Sequence, residues 1–281
     1  MPKKILFALI ILLVPLTILF MPKKGAVQSK DISIDGDHGK LSAVLQTPDG
    51  QAKFPLVILC HGFTGQKESP LLKPLADELA ARGIASIRFD FNGHGQSDGD
   101  FQDMTIVNEI SDAKKVYEYA RSLPNVTDIA IAGHSQGGVV ASMLAGDLGV
   151  DKIKAVVLLA PASVLRDDAI RGNLFGVRYD PLNPPEFVEL KTAYGNYKVG
   201  REYILTAQTL PIYETAAKFT GDALMIHGTG DITVPYTCSL IYKKFYGCGE
   251  VELLDRVDHG FSGEQNRVAT FAADWLTRRL K

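Results

Sequence analysis

Four short and nearly continuous apolar runs constrain the fold of this chain more than any other feature of its sequence. They occupy residues 54–60, 84–89, 128–132 and 153–160. Such runs are typical of strands in a parallel sheet, because helices cover both faces and leave no solvent-exposed face for polar residues. The sequence therefore predicts a buried parallel sheet.

Helical patterns fall between these runs, at residues 70–82, 106–122 and 137–148. The alternation resumes with strands at 223–227 and 250–254 and helices at 235–245 and 266–279. Alternating strands and helices predict an α/β fold, with a mostly parallel, doubly wound sheet and right-handed crossovers. A short hairpin, 32–34 with 41–46, precedes the parallel part. With 281 residues, 46% of them hydrophobic, the chain can close one substantial core.

A long interruption separates the two alternating stretches. Residues 161–219 take up far more chain than one helix and its loops require. Loops of that length are usually functional, and open α/β sheets bind ligands at the carboxyl edge of their strands. We therefore predict a catalytic domain at 30–281 with a lid inserted at about 161–219.

The first 29 residues have a different character. Residues 5–21 are apolar except for Pro15 and Thr17, and a lysine pair lies on each side. This pattern predicts a membrane anchor that leaves the catalytic domain outside the cytoplasm, with a cleaved signal segment and secretion as the alternative. Three cysteines are too few for a disulfide framework, and the sequence leaves open whether Cys238 and Cys248 pair.

The motif Gly-x-Ser-x-Gly at 133–137 joins a predicted strand to a predicted helix. This context is typical of a nucleophile elbow, in which a sharp strand-to-helix turn exposes the serine hydroxyl. Glycines are needed on either side because larger side chains would collide with neighbouring backbone. Ser135 is therefore the predicted nucleophile.

A serine nucleophile requires a histidine base, because the hydroxyl is weakly nucleophilic at its own pKa. The chain has six candidates: His38, His61, His94, His134, His227 and His259. His259 lies between the last strand and the last helix, where a loop can lean over the elbow, and it is the predicted base. His94, in a glycine-rich loop, is the weaker alternative.

The acid that orients the base should follow a strand between serine and histidine in the chain. Asp231 lies in the exit turn of the strand at 223–227 and satisfies this order. Asp222 precedes that strand and falls at the wrong edge of the sheet. Asp255 and Asp258 are so near His259 in sequence that facing its imidazole is difficult.

Two backbone N–H groups should stabilise the oxyanion of an acyl-transfer intermediate. The loop after the first long strand offers that of Phe63, and the helix start offers that of Gln136. No metal-ligand spacing and no dinucleotide fingerprint is present, so no metal or other cofactor is implied. A net charge of −2 without a long basic run argues against nucleic acid as a partner.

With these residues placed, the chain from about 32 to 280 resembles the feruloyl and cinnamoyl esterases of gut bacteria, a branch of the α/β-hydrolases. The motifs that carry the likeness are His61-Gly-Phe-Thr-Gly65, Asp90-Phe-Asn-Gly-His-Gly-Gln-Ser-Asp-Gly99, Gly133-His-Ser-Gln-Gly-Gly138, Asp168-Ala-Ile-Arg-Gly-Asn173, Leu210-Pro-Ile-Tyr-Glu214 and His227-Gly-Thr-Gly-Asp231. The resemblance implies that Asp168 contacts the phenolic hydroxyl of a hydroxycinnamate. The family pattern has a glutamine where this chain has Phe175, so recognition of a second ring hydroxyl is not expected to carry over.

The lid composition agrees with an aromatic substrate, because it holds half of the chain's ten tyrosines. We predict that Phe175, Tyr179 and Tyr213 contact the substrate. The alternatives are that these tyrosines pack the lid onto the sheet and that Asp168 caps a lid helix. Tyr194, Tyr197 and Tyr203 are the remaining lid tyrosines.

The predicted function is that of a serine carboxylic ester hydrolase that releases ferulate or p-coumarate through an acyl-enzyme. The sequence also allows a broad short-chain acyl esterase or lipase, and less readily a binding protein that kept the fold without turnover. A peptidase is a lesser variant. The oligomeric state stays open between a monomer and a homodimer.

Overall fold

The computed structural model describes residues 27–192 and 195–281, which form twelve strands and eight α-helices. The strands are β1 (Val27–Asp35), β2 (Lys40–Pro48), β3 (Phe54–Cys60), β4 (Ala85–Phe89), β5 (Val126–His134), β6 (Ala155–Leu159), β7 (Asn173–Leu174), β8 (Val177–Arg178), β9 (Phe187–Thr192), β10 (Gly195–Gly200), β11 (Asp222–Gly228) and β12 (Gly249–Leu254). The helices are α1 (Leu72–Ala81), α2 (Ile106–Ser122), α3 (Gln136–Leu148), α4 (Val164–Ile170), α5 (Arg201–Thr209), α6 (Ile212–Ala216), α7 (Thr237–Phe245) and α8 (Gln265–Leu280).

Eight strands form one central sheet in the order β1-β2-β4-β3-β5-β6-β11-β12. The pairs β1–β2 and β2–β4 are antiparallel, and every other neighbouring pair is parallel. The chain is an α/β protein with a doubly wound sheet, which confirms the predicted fold class. The strand β1 begins at Val27, so the hairpin is longer than the sequence pattern indicated.

Strand β3 shows why the sheet needs helices on both faces. All seven of its residues are buried, and alternate side chains belong to two separate cores. Leu56 and Ile58 pack into the core with α2 and α3, whereas Val57 and Leu59 pack against α1 and α8. A side-chain period of two, with both faces covered, gives the continuous apolar run seen in the sequence.

The segment between β6 and β11 crosses the carboxyl ends of the strands. It contains α4, the hairpins β7–β8 and β9–β10, and the helices α5 and α6. Helix α5 packs beside α4 and α2, and α6 packs beside α3 and α7. The lid is therefore held to the body of the domain by its own helices.

The predicted apolar segment at 5–21 lies outside the described residues. Within 27–192 and 195–281, no helix is both long and apolar enough to cross a membrane. Cys60 and Cys238 are buried free thiols and Cys248 is an exposed one, so Cys238 and Cys248 are not paired.

Candidate active site

Ser135 lies at a sharp turn between the end of β5 and the start of α3. Its backbone has φ 56° and ψ −122°, a conformation that non-glycine residues seldom adopt. The two motif glycines make the turn possible. A Cβ on Gly133 would lie 2.0 Å from the carbonyl oxygen of Gly137, and one on Gly137 would lie 2.2 Å from that of His61. The motif thus has the geometry of a nucleophile elbow.

The structure brings Ser135, His259 and Asp231 into one hydrogen-bonded chain. His259 Nε2 lies 2.9 Å from Ser135 Oγ, and His259 Nδ1 lies 2.6 Å from Asp231 Oδ2. Because a carboxylate only accepts, Nδ1 carries the proton and Nε2 presents its lone pair to the serine hydroxyl. In this tautomer His259 can take the proton of Ser135.

Asp231 is buried, and it accepts hydrogen bonds from several groups besides His259. Its Oδ1 accepts the backbone N–H groups of Thr233 at 2.9 Å and Val234 at 2.8 Å. His227 Nε2 lies 3.1 Å from Asp231 Oδ2. Burial by itself would raise the pKa of Asp231, but the hydrogen bonds from His227 and His259 outweigh it and hold that pKa below its usual range. Asp231 is therefore a fixed anion behind the imidazole.

His227 is a part of this arrangement that the sequence did not reveal. Its Nδ1 lies 2.7 Å from the hydroxyl of Ser239, and its Nε2 is also 3.0 Å from the carbonyl oxygen of Val234. Two acceptors at Nε2 place the proton there, so Ser239 donates to Nδ1. His227 is a positioning residue that holds the acid by Oδ2, the same oxygen that His259 contacts.

A second buried histidine orients the loop that carries the Phe63 N–H. His61 Nε2 accepts the backbone N–H of Phe91 at 3.1 Å, so its Nδ1 donates to the carbonyl oxygen of Gly62 at 2.8 Å. That oxygen also accepts the N–H of Gly65 at 2.8 Å. Because a trans peptide points its C=O and N–H in opposite directions, these bonds fix the direction of the Phe63 N–H. Burial, then His94, lowers the pKa of His61 to about 3, so it stays neutral.

The position of this loop supports the two predicted oxyanion donors. A Cβ on Gly62 would lie 2.9 Å from Ser135 Cβ, so the loop touches the nucleophile. Gln136 is the first residue of α3, where backbone N–H groups have no acceptor within the helix. The N–H groups of Phe63 and Gln136 can therefore face an oxyanion formed beside Ser135.

His134 steadies the loop of the base. Its Nε2 donates to the carbonyl oxygen of His259 at 3.0 Å, and the two rings are 4.9 Å apart. Burial, then His259, lowers the pKa of His134 to about 4 and keeps it neutral. The other sequence alternatives lie elsewhere. His94 is buried against His61, and Asp258 accepts the N–H of Ser262 instead of facing the base.

A cavity of about 340 Å³ opens beside Ser135, within the size range of small-molecule sites. Phe63 and Gln136 line it together with lid residues from α4 and from the β7–β8 hairpin. Asp168, Phe175 and Tyr179, which the sequence predicts as substrate contacts, are among them.

Asp168 is the carboxylate of this cavity. It is the fifth residue of α4, which begins at Val164, so the alternative that Asp168 caps the helix is wrong. Tyr179 lies nearby, and its phenolic pKa is raised by burial and then by the negative charge of Asp168. An anionic acceptor beside a phenol in an aromatic cavity is suited to a second phenol from a substrate.

The remaining lid predictions have different outcomes. Phe175 lies in the β7–β8 turn at φ 48°, is 56% exposed, and its ring is 5.0 Å from that of Phe63. Tyr213 is not among the described residues that line the cavity. Its hydroxyl pairs with that of Ser163 at 2.5 Å and its ring stacks on Phe245, so it packs α6 against α7. Tyr194 lies outside the described residues.

Tyr203 is a pocket residue that the sequence did not single out from the lid tyrosines. Its hydroxyl donates to Gln136 Oε1 at 2.8 Å, and Gln136 Nε2 donates to Glu109 Oε2 at 2.9 Å. Glu109 is 1% exposed, and its Oε1 has no partner among the described residues. Burial raises the pKa of Glu109 to about 8, so it is a neutral acid at pH 7.

We expect Glu109 to make the protein less stable as the pH rises. The pKa of Glu109 is about 8 in the folded protein and lower in the unfolded chain. Its contribution to the free energy of unfolding is therefore complete below the unfolded pKa and is lost as the pH rises through the folded pKa. Between pH 5.5 and 8.5 the free energy of unfolding of the wild type, measured in urea, should fall by about 3 kcal/mol relative to that of Glu109→Gln, which imitates the neutral acid. The opposite contribution of the buried neutral histidines is common to both proteins and cancels in this difference. Glu118→Gln, on the exposed face of the same helix, should follow the wild type. The same dependence on pH in wild type and Glu109→Gln would contradict the neutral acid.

Proteins of known structure share the fold of this chain. Est1E from Butyrivibrio proteoclasticus, in a structure with ferulic acid bound, superposes with a TM-score of 0.83 at 34% identity. The match covers 88% of this chain and 98% of Est1E. The chain belongs to the Est1E family of α/β-hydrolases. The resemblance drawn from the motifs is confirmed at the level of the family.

Other proteins share the fold or part of the sequence. Dienelactone hydrolase from Anabaena variabilis, at 17% identity and a TM-score of 0.65, shares the fold. The family model Hydrolase_4, described as serine aminopeptidase S33, matches residues 51–181. A 31.7 kDa Escherichia coli protein from the traX-finO intergenic region is 33% identical over 128 residues, and the quorum-quenching protein AidA of Acinetobacter baumannii is 30% identical over 134. These two matches span 44% and 43% of the length of those proteins.

Proposed function

We propose that this member of the Est1E family is a serine esterase that releases hydroxycinnamic acids from their esters. The observation that carries the proposal is the hydrogen-bonded chain from Asp231 through His259 to Ser135, which opens into a cavity holding a carboxylate among aromatic rings. The nucleophile, its base and the recognition elements thus meet in one place.

The reaction proceeds in two halves. Ser135 Oγ attacks the ester carbonyl carbon while His259 Nε2 takes the hydroxyl proton, and the backbone N–H groups of Phe63 and Gln136 hold the oxyanion. The carbon–oxygen bond to the alcohol then breaks, and His259 gives its proton to the departing oxygen. Water, activated by the same histidine, hydrolyses the acyl-enzyme and releases the acid.

The aromatic part of the cavity supports a phenolic acyl group. Phe63 lies 5.0 Å from Phe175 and 6.0 Å from Tyr203, and Asp168 and Tyr179 line the same space. A substrate ring can pack against this group of aromatic rings, and its para hydroxyl can donate to the Asp168 carboxylate. Est1E, which is of the same family, binds ferulic acid. Phe175 has no group with which to bond a second ring substituent.

Removing the carboxylate of Asp168 should separate phenolic from non-phenolic esters. A charge-assisted hydrogen bond is worth about 1.5 to 3 kcal/mol, so Asp168→Ala should lower kcat/KM for methyl ferulate and methyl p-coumarate about 10- to 150-fold. The decrease in kcat/KM should be far smaller for methyl cinnamate, which lacks the hydroxyl. Asp167→Ala is the matched control, since Asp167 lies on the same helix but is exposed and does not line the cavity.

Two outcomes would displace the proposal. An equal loss on all three esters in Asp168→Ala would remove the recognition role of this carboxylate. Faster hydrolysis of a butyrate ester, or of an aminoacyl p-nitroanilide, than of methyl ferulate would favour a short-chain esterase or a peptidase. Action at a membrane or outside the cytoplasm remains a proposal that rests on the apolar N-terminal segment alone.

A further inference from the structure

We infer that the cavity has a second subsite for the alcohol part of the ester, that this subsite takes an aliphatic alcohol, and that Ile232 is its specificity-determining residue. The inference rests on the proposed function, because it assigns the hydroxycinnamoyl group to the aromatic part of the same cavity.

The lining of the cavity divides into two chemically different ends. Aromatic rings and the carboxylate gather at one end, where the ring of Phe63 contacts the rings of Phe175 and Tyr203. Small aliphatic side chains gather at the other. Ala162 and Val234 belong to one small apolar cluster, and Val164 packs against it. Ile232 lines the cavity two residues before Val234.

The chemistry of ester cleavage places the alcohol at the aliphatic end. His259 Nε2 must reach the departing oxygen to protonate it, so the alcohol lies on the side of the base. Asp231 holds His259, and the chain continues from this acid directly into Ile232 and Thr233, which line the cavity. An alcohol that leaves past His259 therefore passes these residues, while the acyl group extends toward the lid.

Ile232 has no packing role in the fold that would account for its apolar side chain. It is 100% exposed, although it follows a buried acid and lines the same cavity as Ser135. Single exposed apolar residues are common on proteins, but one at the mouth of a reactive cavity is available to be covered by a ligand. An alkyl chain laid against it would remove apolar surface from water on both partners.

A sugar alcohol suits this end poorly. Among Ala162, Val164, Ile232, Thr233 and Val234, only Thr233 has a polar side chain, which offers a single hydroxyl group. A sugar would bring several hydroxyl groups against aliphatic surface without matching partners. The subsite therefore favours ferulate esters of butanol or longer alcohols over ferulate esters of arabinose.

The test compares esters that share one acyl group. Methyl, butyl and arabinosyl ferulate form the same acyl-enzyme, so differences in kcat/KM report on the alcohol alone. A fully buried methylene corresponds to about fourfold in kcat/KM, so three half-covered methylenes should make butyl ferulate about eightfold better than methyl ferulate. Ile232→Ser should reduce the ratio of kcat/KM for butyl ferulate to kcat/KM for methyl ferulate to about twofold. Leu182→Ser, at a residue that is 94% exposed and not among those lining the cavity, should keep the wild-type ratio.

The outcomes separate this inference from the function on which it rests. If the wild type does not hydrolyse methyl ferulate, the proposed function fails. If it hydrolyses methyl ferulate but shows no gain with butyl ferulate, prefers the arabinosyl ester, or keeps its ratio in Ile232→Ser, only the aliphatic subsite is overturned. A lower ratio in Ile232→Ser but not in Leu182→Ser supports it.

Discussion

Ser135→Ala should lower kcat for methyl ferulate about 10⁴- to 10⁶-fold, because the members of a catalytic triad act as a unit. The residual rate would come from the oxyanion donors and from binding. The fold should survive, since the hydroxyl that is lost pairs with His259 Nε2 and the backbone N–H of Ser135 keeps its bond to Leu159. Steady-state kinetics with matched thermal melts would measure both effects.

Ser262→Ala is the matched control for this substitution. Ser262 is exposed and lies three residues from His259, so the same hydroxyl is removed near the site without touching the nucleophile. Its kcat should stay within about threefold of the wild type, as surface changes of this kind are mild. Activity of Ser135→Ala within tenfold of the wild type would refute the assignment of the nucleophile.

Asp231→Asn should lower kcat about 10⁴-fold by stabilising the wrong tautomer of the base. The backbone N–H groups of Thr233 and Val234 both point at Oδ1, so the new amide oxygen should take that place. The amide NH₂ then faces His259 Nδ1, which must accept. The imidazole proton moves to Nε2, where it prevents acceptance of the proton of Ser135.

Asp258→Asn applies the same chemical change one residue from the base. Asp258 accepts the backbone N–H of Ser262, a bond that an asparagine oxygen can keep, so this variant should retain near wild-type kcat. A greater loss in Asp258→Asn or Asp255→Asn than in Asp231→Asn would identify a different acid. The kinetics of all three variants, measured on one substrate, decide the matter.

The sequence predicted the catalytic residues and the elements that carry them, because apolar spacing and the order of residues along the chain can be seen without the structure. Helix α2 begins at Ile106 and ends at Ser122 as its apolar spacing indicated, and the strand before the elbow was found from five residues. The order Ser135, Asp231, His259 then followed from which loops leave the same edge of the sheet. The structure brings these three residues together.

The residues that hold this framework in place could not be predicted in the same way. The sequence set aside His61, His134 and His227 as bases, but their roles as positioning residues depend on partners that only the fold brings near. His134, for example, bonds a carbonyl 125 residues away. Tyr213 was misplaced for the same reason, because a tyrosine in the lid can face either the cavity or α7, and its spacing does not tell which.

The central claim, hydrolysis through an acyl-enzyme on Ser135, is tested most directly by trapping that intermediate. The wild-type enzyme would be mixed with p-nitrophenyl ferulate, quenched in acid within milliseconds to seconds, and examined by intact-protein and peptide mass spectrometry. The account predicts a mass increase of one feruloyl group, carried by the peptide that contains Ser135 and missing in Ser135→Ala. Turnover with no covalent adduct, or an adduct on another residue, would contradict it.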